Sequence, residues 1–205
     1  MAKLYFHYSA MNAGKSTLLL QASYNYRERG MNTMLFTAAL DDRAGPGRIA
    51  SRIGLDAEAE TFDAETDFLT RVAAHHEAAG PVHCVFLDEA QFLTEGQVWQ
   101  LARVADRLGI PVMAYGLRTD FQGKLFPGSL ALLAIADDLR EVRTICRCGR
   151  KAAMVVRLDG EGRVVREGAQ VEIGGNDRYV SLCRRHWEEE TGRYKAEDMV
   201  GFTKR

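Results

Sequence analysis

An excess of either charge is missing from this chain: 27 Lys and Arg stand against 28 Asp and Glu, a formal net charge of −1 over 205 residues. Balanced charge gives no bulk electrostatic pull toward nucleic acid or an anionic membrane. Long apolar runs are missing too, since none approaches the ~20 residues of a bilayer-spanning helix. Met1-Ala2-Lys3-Leu4 leads straight into a strand-like run, without the layout of a signal peptide. Cysteine is scarce. Of the four, Cys84 lies inside an apolar run and reads as a small core residue, so no disulfide framework is indicated. Internal repeats and low-complexity tracts are absent. These gaps point to a cytoplasmic protein that neither enters a membrane nor coats nucleic acid. What is present, 46% hydrophobic residues, suits one full domain with room for a small appended one.

One absence is local. The stretch Ser9-Ala10-Met11-Asn12-Ala13-Gly14-Lys15-Ser16 fits a phosphate-cradling loop except that Ser9 stands where the pattern has glycine. A serine can still make the first turn if its φ is negative. The loop follows an apolar strand pattern, Leu4 to Tyr8, and opens into a helical one from Lys15 to Arg29. Gly14 allows close approach of backbone to phosphate, Lys15 would reach the β/γ-phosphates, and Ser16 would meet Mg²⁺. A chance Gly-Lys-Ser at a helix start is the competing reading, and the strand–loop–helix context weighs against it.

Further along, Thr33–Thr37 reads as a strand that completes a βαβ unit. Residues 41–51 read as a polar, Gly/Pro-rich loop. It is either a solvated connection or a segment that hangs Asp41, Arg43 and Arg48 over the phosphates, and the residues alone favour the former. A helix is expected over Thr66–Ala79, with His75 and His76 as surface residues. His83 to Leu87 is a continuous apolar run, as in a buried parallel strand, and it ends in Asp88-Glu89. Ligands bind beyond the carboxyl ends of such strands, so Asp88 suits Mg²⁺ and Glu89 is a candidate general base. Two solvated acids are the bland alternative. Thr94 and Gln97 form a capping box for a helix to about Leu108. A strand over Pro111–Gly116, a short helix over Gly128–Ala136 and a core strand over Leu139–Thr144 follow.

From Ile145 the character changes. Cys146 and Cys148 are two apart, and Cys183 and His186 three apart. Three thiolates and an imidazole in two close pairs suit a closed, structural zinc site. A disulfide or inert thiols are the alternative, which a reducing compartment disfavours. The fold class read from this pattern is α/β: a P-loop (RecA-like) parallel sheet flanked by helices over 1–144, a zinc-ribbon/lasso domain over 145–191 and a flexible tail over 192–205.

Taken together, S-A-M-N-A-G-K-S, F-L-D-E-A-Q-F, Y-G-L-R-T-D-F, C-R-C-G, I-G-G-N-D-R-Y and C-R-R-H resemble, in order and spacing, the type II thymidine kinase family. The resemblance covers nearly the whole chain. It implies transfer of the ATP γ-phosphate to the 5′-hydroxyl of thymidine, and of deoxyuridine, with ATP and Mg²⁺ in catalysis and Zn²⁺ in structure. By matching position, Glu89 is the base. Ser9 to Ser16 (Ser9, Ala10, Met11, Asn12, Ala13, Gly14, Lys15, Ser16) and Asp88, Glu89, Ala90 and Gln91 line the ATP/Mg²⁺ site. Asp41 and Arg43 lie near phosphates and sugar, which overturns the bland reading of that loop. Met11, Phe92, Leu117 and Phe121 surround the thymine ring, with Phe126, Val171, Gly174 and Tyr179 in the same substrate set; Gly174 belongs to a lasso that closes over the base. A homotetramer and feedback inhibition by dTTP are implied as well. The chain departs from vertebrate members in replacing two Cys-x₂-Cys pairs by Cys-x-Cys and Cys-x₂-His. Two readings compete. One is a zinc-ribbon P-loop ATPase acting on nucleic acid, supported by Arg143, Arg147, Arg150, Arg157 and Arg163. The other is a non-catalytic nucleotide-binding scaffold, against which Glu89 beside Asp88 argues.

Overall fold

A computed structural model of the chain describes residues 1–41, 44–171 and 178–193. The elements run β1 (Leu4–Ser9), α1 (Lys15–Glu28), β2 (Asn32–Ala38), β3 (Arg48–Ala50), β4 (Asp56–Glu58), β5 (Glu60–Phe62), α2 (Phe68–Ala78) and β6 (Val82–Leu87). A 3₁₀ turn (Ala90–Phe92) follows, then α3 (Glu95–Leu108), β7 (Val112–Leu117), α4 (Pro127–Ile135) and β8 (Asp138–Glu141). The C-terminal part holds β9 (Thr144–Ile145), β10 (Lys151–Ala152), β11 (Met154–Leu158), β12 (Val164–Val165), β13 (Tyr179–Leu182) and α5 (Arg184–Thr191).

The six-stranded sheet is parallel throughout, in the order β5-β2-β6-β7-β1-β8. Period-2 alternation assigns each strand's side chains to one of two cores. On β6, Val85 and Leu87 join Phe68 and Val72 of α2, Val98, Leu101 and Val104 of α3, and Leu132 of α4. Cys84 and Phe86 point the other way, into a cluster with Leu19 and Leu20 of α1 and Tyr115 of β7. Helices on both faces explain why β6 is apolar without interruption from Cys84 to Leu87. The Thr94–Gln97 capping box forms, and Gln97 also donates to Asp63 and Thr66 carbonyls at 2.6 and 3.0 Å, tying the start of α3 to the loop before α2.

The structure corrects three sequence expectations. Residues 41–51 are not loop throughout: β3 pairs antiparallel with β4, and Ile49, 2% exposed, packs into the α1 cluster. The strand expected over 139–144 as core is the sheet edge β8, with Leu139 46% exposed. An edge strand hydrogen-bonds on one side only and needs no continuous apolar run. His76 is half-buried and its Nδ1 accepts from the Val82 N–H at 3.2 Å, so it is not a bare surface residue.

Beyond β8 the chain builds its own small core from Cys146, Ala152, Val156, Leu182, Cys183 and Trp187. β11 lies between β12 and β13, all antiparallel. Trp187, 4% exposed, reaches out of this core. Its Nε1 donates to the Phe121 and Val155 carbonyls at 3.2 and 3.0 Å. A Cβ on Gly123 would come within 3.1 Å of the Trp187 ring, so glycine is what lets the loop after β7 lie on it.

Candidate active site

β1 delivers the phosphate loop. Ser9 closes the strand and is 4% exposed, and its φ is not positive. The missing glycine is therefore no obstacle here, because the left-handed turns fall on Asn12 (φ 62°) and Gly14 (φ 82°). The Ser9 hydroxyl donates to the Ala10 carbonyl at 2.6 Å and accepts from Lys15 Nζ at 3.1 Å, which also donates to Ala10 O at 3.4 Å. Serine at this position thus docks the lysine against the loop. Helix α1 has no side-chain N-cap and no acid in its first turn. Its N-terminal amides and the positive end of the helix favour an anion.

Across from the loop, β6 ends at Asp88 and Glu89. Asp88 is 3% exposed, and its N–H donates to Phe36 O at 2.8 Å. Burial raises its carboxyl above the ordinary range and the neighbouring Glu89 charge adds to this; the Ser16 hydroxyl bonded to it and the Lys15 charge oppose. A buried carboxylate paired with a hydroxyl is a donor set that suits a hard divalent cation. Glu89 is left-handed (φ 54°, ψ 37°) without being glycine. Such a conformation costs on the order of 1–3 kcal/mol and persists where surroundings impose it. Here the Glu89 N–H donates to Asp88 Oδ1 at 3.0 Å.

Loop and acids face one cleft of about 400 Å³. Its walls include residues 11–17, Asp41, Asp88, Glu89 and Leu117, so Met11, Asp41, Glu89 and Leu117 of the expected set share one cleft. It also adds a wall that sequence reasoning missed: Ile49, Arg52 and Ile53, from the β3–β4 hairpin. The available signal was weak, an alternation of Ile49 and Ala57 about Gly54. Gln91 is 1% exposed and does not line the cleft; its amide lies between the Leu117 N–H and the Glu89 carboxylate. Phe92 and Phe126 meet edge to face, ring centres 6.2 Å apart, outside this cleft. Phe121, 2% exposed, lies under the Arg157 guanidinium at 4.0 Å and is not a cleft wall. Burial of the ring between β11 and the loop after β7 makes it a support.

Arg43 and Gly174 lie outside the described residues, as do the rest of 172–177 and the end of the tail. The two feet of 172–177 are described. On the first, Gln170 Nε2 donates to Asp120 Oδ2 at 2.9 Å, and Arg157 donates to Ala169 O at 3.0 Å; Val171 is 39% exposed. The second begins at Tyr179 in β13, where Ser181 Oγ donates to Met11 O of the phosphate loop at 2.6 Å.

The Cys/His set also comes together. Cys146 and Cys148 sit on a tight turn closed by Gly149 N–H to Cys146 O at 2.8 Å, Cys183 precedes α5, and His186 is in its first turn. The four ligand atoms lie within 4.8 Å of one another. Cys148 Sγ and Cys183 Sγ are 3.9 Å apart, and Cys146 Sγ is 3.1 Å from His186 Nδ1. A Zn–S bond of about 2.3 Å gives a tetrahedral S–S edge of about 3.8 Å. The separation thus fits a shared metal and is far too long for a disulfide. Burial pushes the Cys146 thiol up, but hydrogen bonds from His186 and the Cys148 and Cys183 amides prevail and bring it down to about 6. That favours the metal-binding thiolate.

The family model described as thymidine kinase matches residues 2–187. A thymidine kinase of Agrobacterium fabrum is 73% identical over 189 residues, 92% of this chain and 97% of that protein. One of Mesorhizobium japonicum is 70% identical over 204 residues, spanning both chains in full (100% of each). One of Vibrio cholerae is 61% identical over 193 residues, 94% of this chain and 100% of that protein.

Proposed function

The chain belongs to the thymidine kinase family, and from that premise we propose how its cleft moves the γ-phosphate of ATP to the 5′-hydroxyl of thymidine. The observation that carries the reading is Glu89: a carboxylate one residue past the buried Asp88, on the same cleft as Lys15 and Ser16. Glu89 takes the proton of the 5′-hydroxyl, which is a poor nucleophile at neutral pH. The freed oxygen attacks the γ-phosphorus, the bond to the β–γ bridging oxygen breaks, and ADP leaves with the bonding pair. Lys15 and the amides of the phosphate loop hold the charge that develops. Ser16 and Asp88 would hold Mg²⁺, which supplies further neutralisation when bound. Met11 and Leu117 would flank the base, with Asp41 and Arg43 toward phosphates and sugar. Residues 168–179 would exclude water, so that ATP is not hydrolysed instead.

Cys146, Cys148, Cys183 and His186 would hold Zn²⁺ in a structural role, since four protein ligands leave no open position. Its part would be mechanical. His186 and Cys183 fix the start of α5, and Trp187 ties that helix to the carbonyl of Phe121. The separate C-terminal core supports a division into 1–144 and 145–191. Of the tail expected over 192–205 only Gly192 and Arg193 are described, and Arg193 donates to the Gln122 carbonyl at 3.2 Å and lies over the Trp187 ring. Cys183→Ser should lose zinc, measured by metal analysis, and weaken thymidine binding at least tenfold, with ATP binding retained in calorimetry. Freshly purified protein that holds no zinc yet binds thymidine normally would contradict this. A homotetramer, cytoplasmic location and feedback inhibition by dTTP are further proposals from the family. No helix among the described residues is long and apolar enough to cross a membrane.

The nucleic-acid ATPase reading is weakened at three of the five arginines that supported it. Arg157 is buried on Phe121, Arg147 pairs with Glu190, and Arg163 with Asp159 and Glu161. The test is γ-labelled ATP offered with a panel of nucleosides and no nucleic acid. Label should pass to thymidine, and to deoxyuridine as the family implies. ADP that forms only when DNA or RNA is added would overturn the reading.

A further inference from the structure

We infer that Gln91 is a positioning residue that aims the Glu89 carboxylate; the inference rests on Glu89 being the base. A general base must sit within hydrogen-bond reach of the proton it removes, and a side chain is held there only by neighbours that are themselves fixed. Glu89 is half-buried at the edge of an open cleft, and its side chain needs such a neighbour. Gln91 supplies one: it is 1% exposed, its Nε2 donates to Glu89 Oε2, and its Oε1 accepts from the Leu117 N–H at 2.9 Å. A backbone N–H can only donate, so the amide oxygen must face Leu117 and the amide nitrogen must face the carboxylate. The orientation of the amide is thus set by chemistry.

The strut stands on rigid ground. Leu117 ends β7, next to β6, and its carbonyl accepts from Ser129 Oγ at 2.5 Å. The next N–H, that of Arg118, donates to Ser9 O at the root of the phosphate loop at 3.1 Å. Two glycines let the 3₁₀ turn lie close to its neighbours: Gly116 at this strand end, and Gly128 at the start of α4. A Cβ on Gly116 would come within 2.9 Å of Gln91 N and 3.0 Å of its Oε1; one on Gly128 would fall 2.5 Å from Ala90 O. The base is therefore referenced, through Gln91, to the same strand ends that carry the phosphate loop. With both ends of its amide engaged and its surface buried, Gln91 acts through Glu89 and does not touch the nucleotide.

The test is a double-mutant cycle read by single-turnover phosphorylation of thymidine, with dissociation constants for ATP and thymidine measured separately. Gln91→Leu should slow the chemical step about ten- to a hundredfold, the range expected of a misplaced catalytic group. Both dissociation constants should stay within about twofold. In a Glu89→Gln background the same substitution should change the rate less than about twofold, because the group it positions is gone. An equal effect in both backgrounds, or parallel loss of binding, would mean a merely structural role and overturn the inference. If Gln91→Leu does not fold, Gln91→Asn is read in the same cycle, since its shorter amide cannot span Leu117 and Glu89 together. If Glu89→Gln alone leaves the rate within about tenfold, the base assignment falls. If it slows the rate while Gln91→Leu does not, only the positioning role falls.

Discussion

Lys15→Ala should nearly abolish thymidine phosphorylation, lowering kcat by about 10²–10³ and raising KM for ATP. Lys15 is 8% exposed at the first position of α1, where the helix brings its positive end to the cleft. Its ammonium docks on Ser9 Oγ and Ala10 O, so it is already placed at the loop and need not be gathered from solvent. A preorganised donor aimed at developing charge is worth about 10²–10³ in rate in the best-measured cases. At ~1.36 kcal/mol per decade this is about 3–4 kcal/mol of barrier. Some of the loss falls on ground-state ATP, which the same charge binds, hence the rise in KM. Steady-state kinetics at saturating ATP checks this. Turnover near that of the wild type would mean that another group holds the transferred phosphate.

The parts of the site that could be read from sequence are those whose chemistry is contiguous. Lys15 and Ser16 follow Gly14 directly, Asp88 and Glu89 follow an apolar run, and the Cys/His set comes as two short pairs. In each case one local element places neighbouring residues, so spacing carries the geometry. The β3–β4 hairpin was not legible, because three-residue strands with mostly exposed side chains leave little alternation to see. Leu139–Thr144 was expected as a core strand, but β8 is a sheet edge, where Leu139 stays 46% exposed. Gln91 shows the deeper limit. Its partner Leu117 is 26 residues away, and Gly116 beside it leaves the room in which the Gln91 amide sits. The family resemblance set Gln91 among the nucleotide-site residues; in the structure its side chain is buried and turned inward. Phe121 is similar: its place under Arg157 depends on β11, which no local pattern near Phe121 announces.

Replacing Glu89 by Gln should have the largest effect of all on the chemical step. Gln keeps the size and polarity of Glu but cannot accept the 5′-hydroxyl proton. General-base catalysis contributes about 10²–10⁴-fold, equivalent to roughly 3–5 kcal/mol. The strained left-handed backbone at Glu89 is held by Asp88 and by the packed turn behind it, so the substitution should not relocate the side chain. Neither ATP nor thymidine is held mainly by this proton transfer, so binding should be spared. Asp88→Asn should differ by also weakening the dependence on Mg²⁺, because Asp88 is the buried carboxylate bonded to Ser16. The deciding measurement is single-turnover phosphorylation of thymidine by the Glu89→Gln protein, with both dissociation constants measured on the same preparation. The account predicts a chemical step slowed about 10²–10⁴-fold with both constants unchanged; slowing of less than about tenfold with binding intact would contradict it.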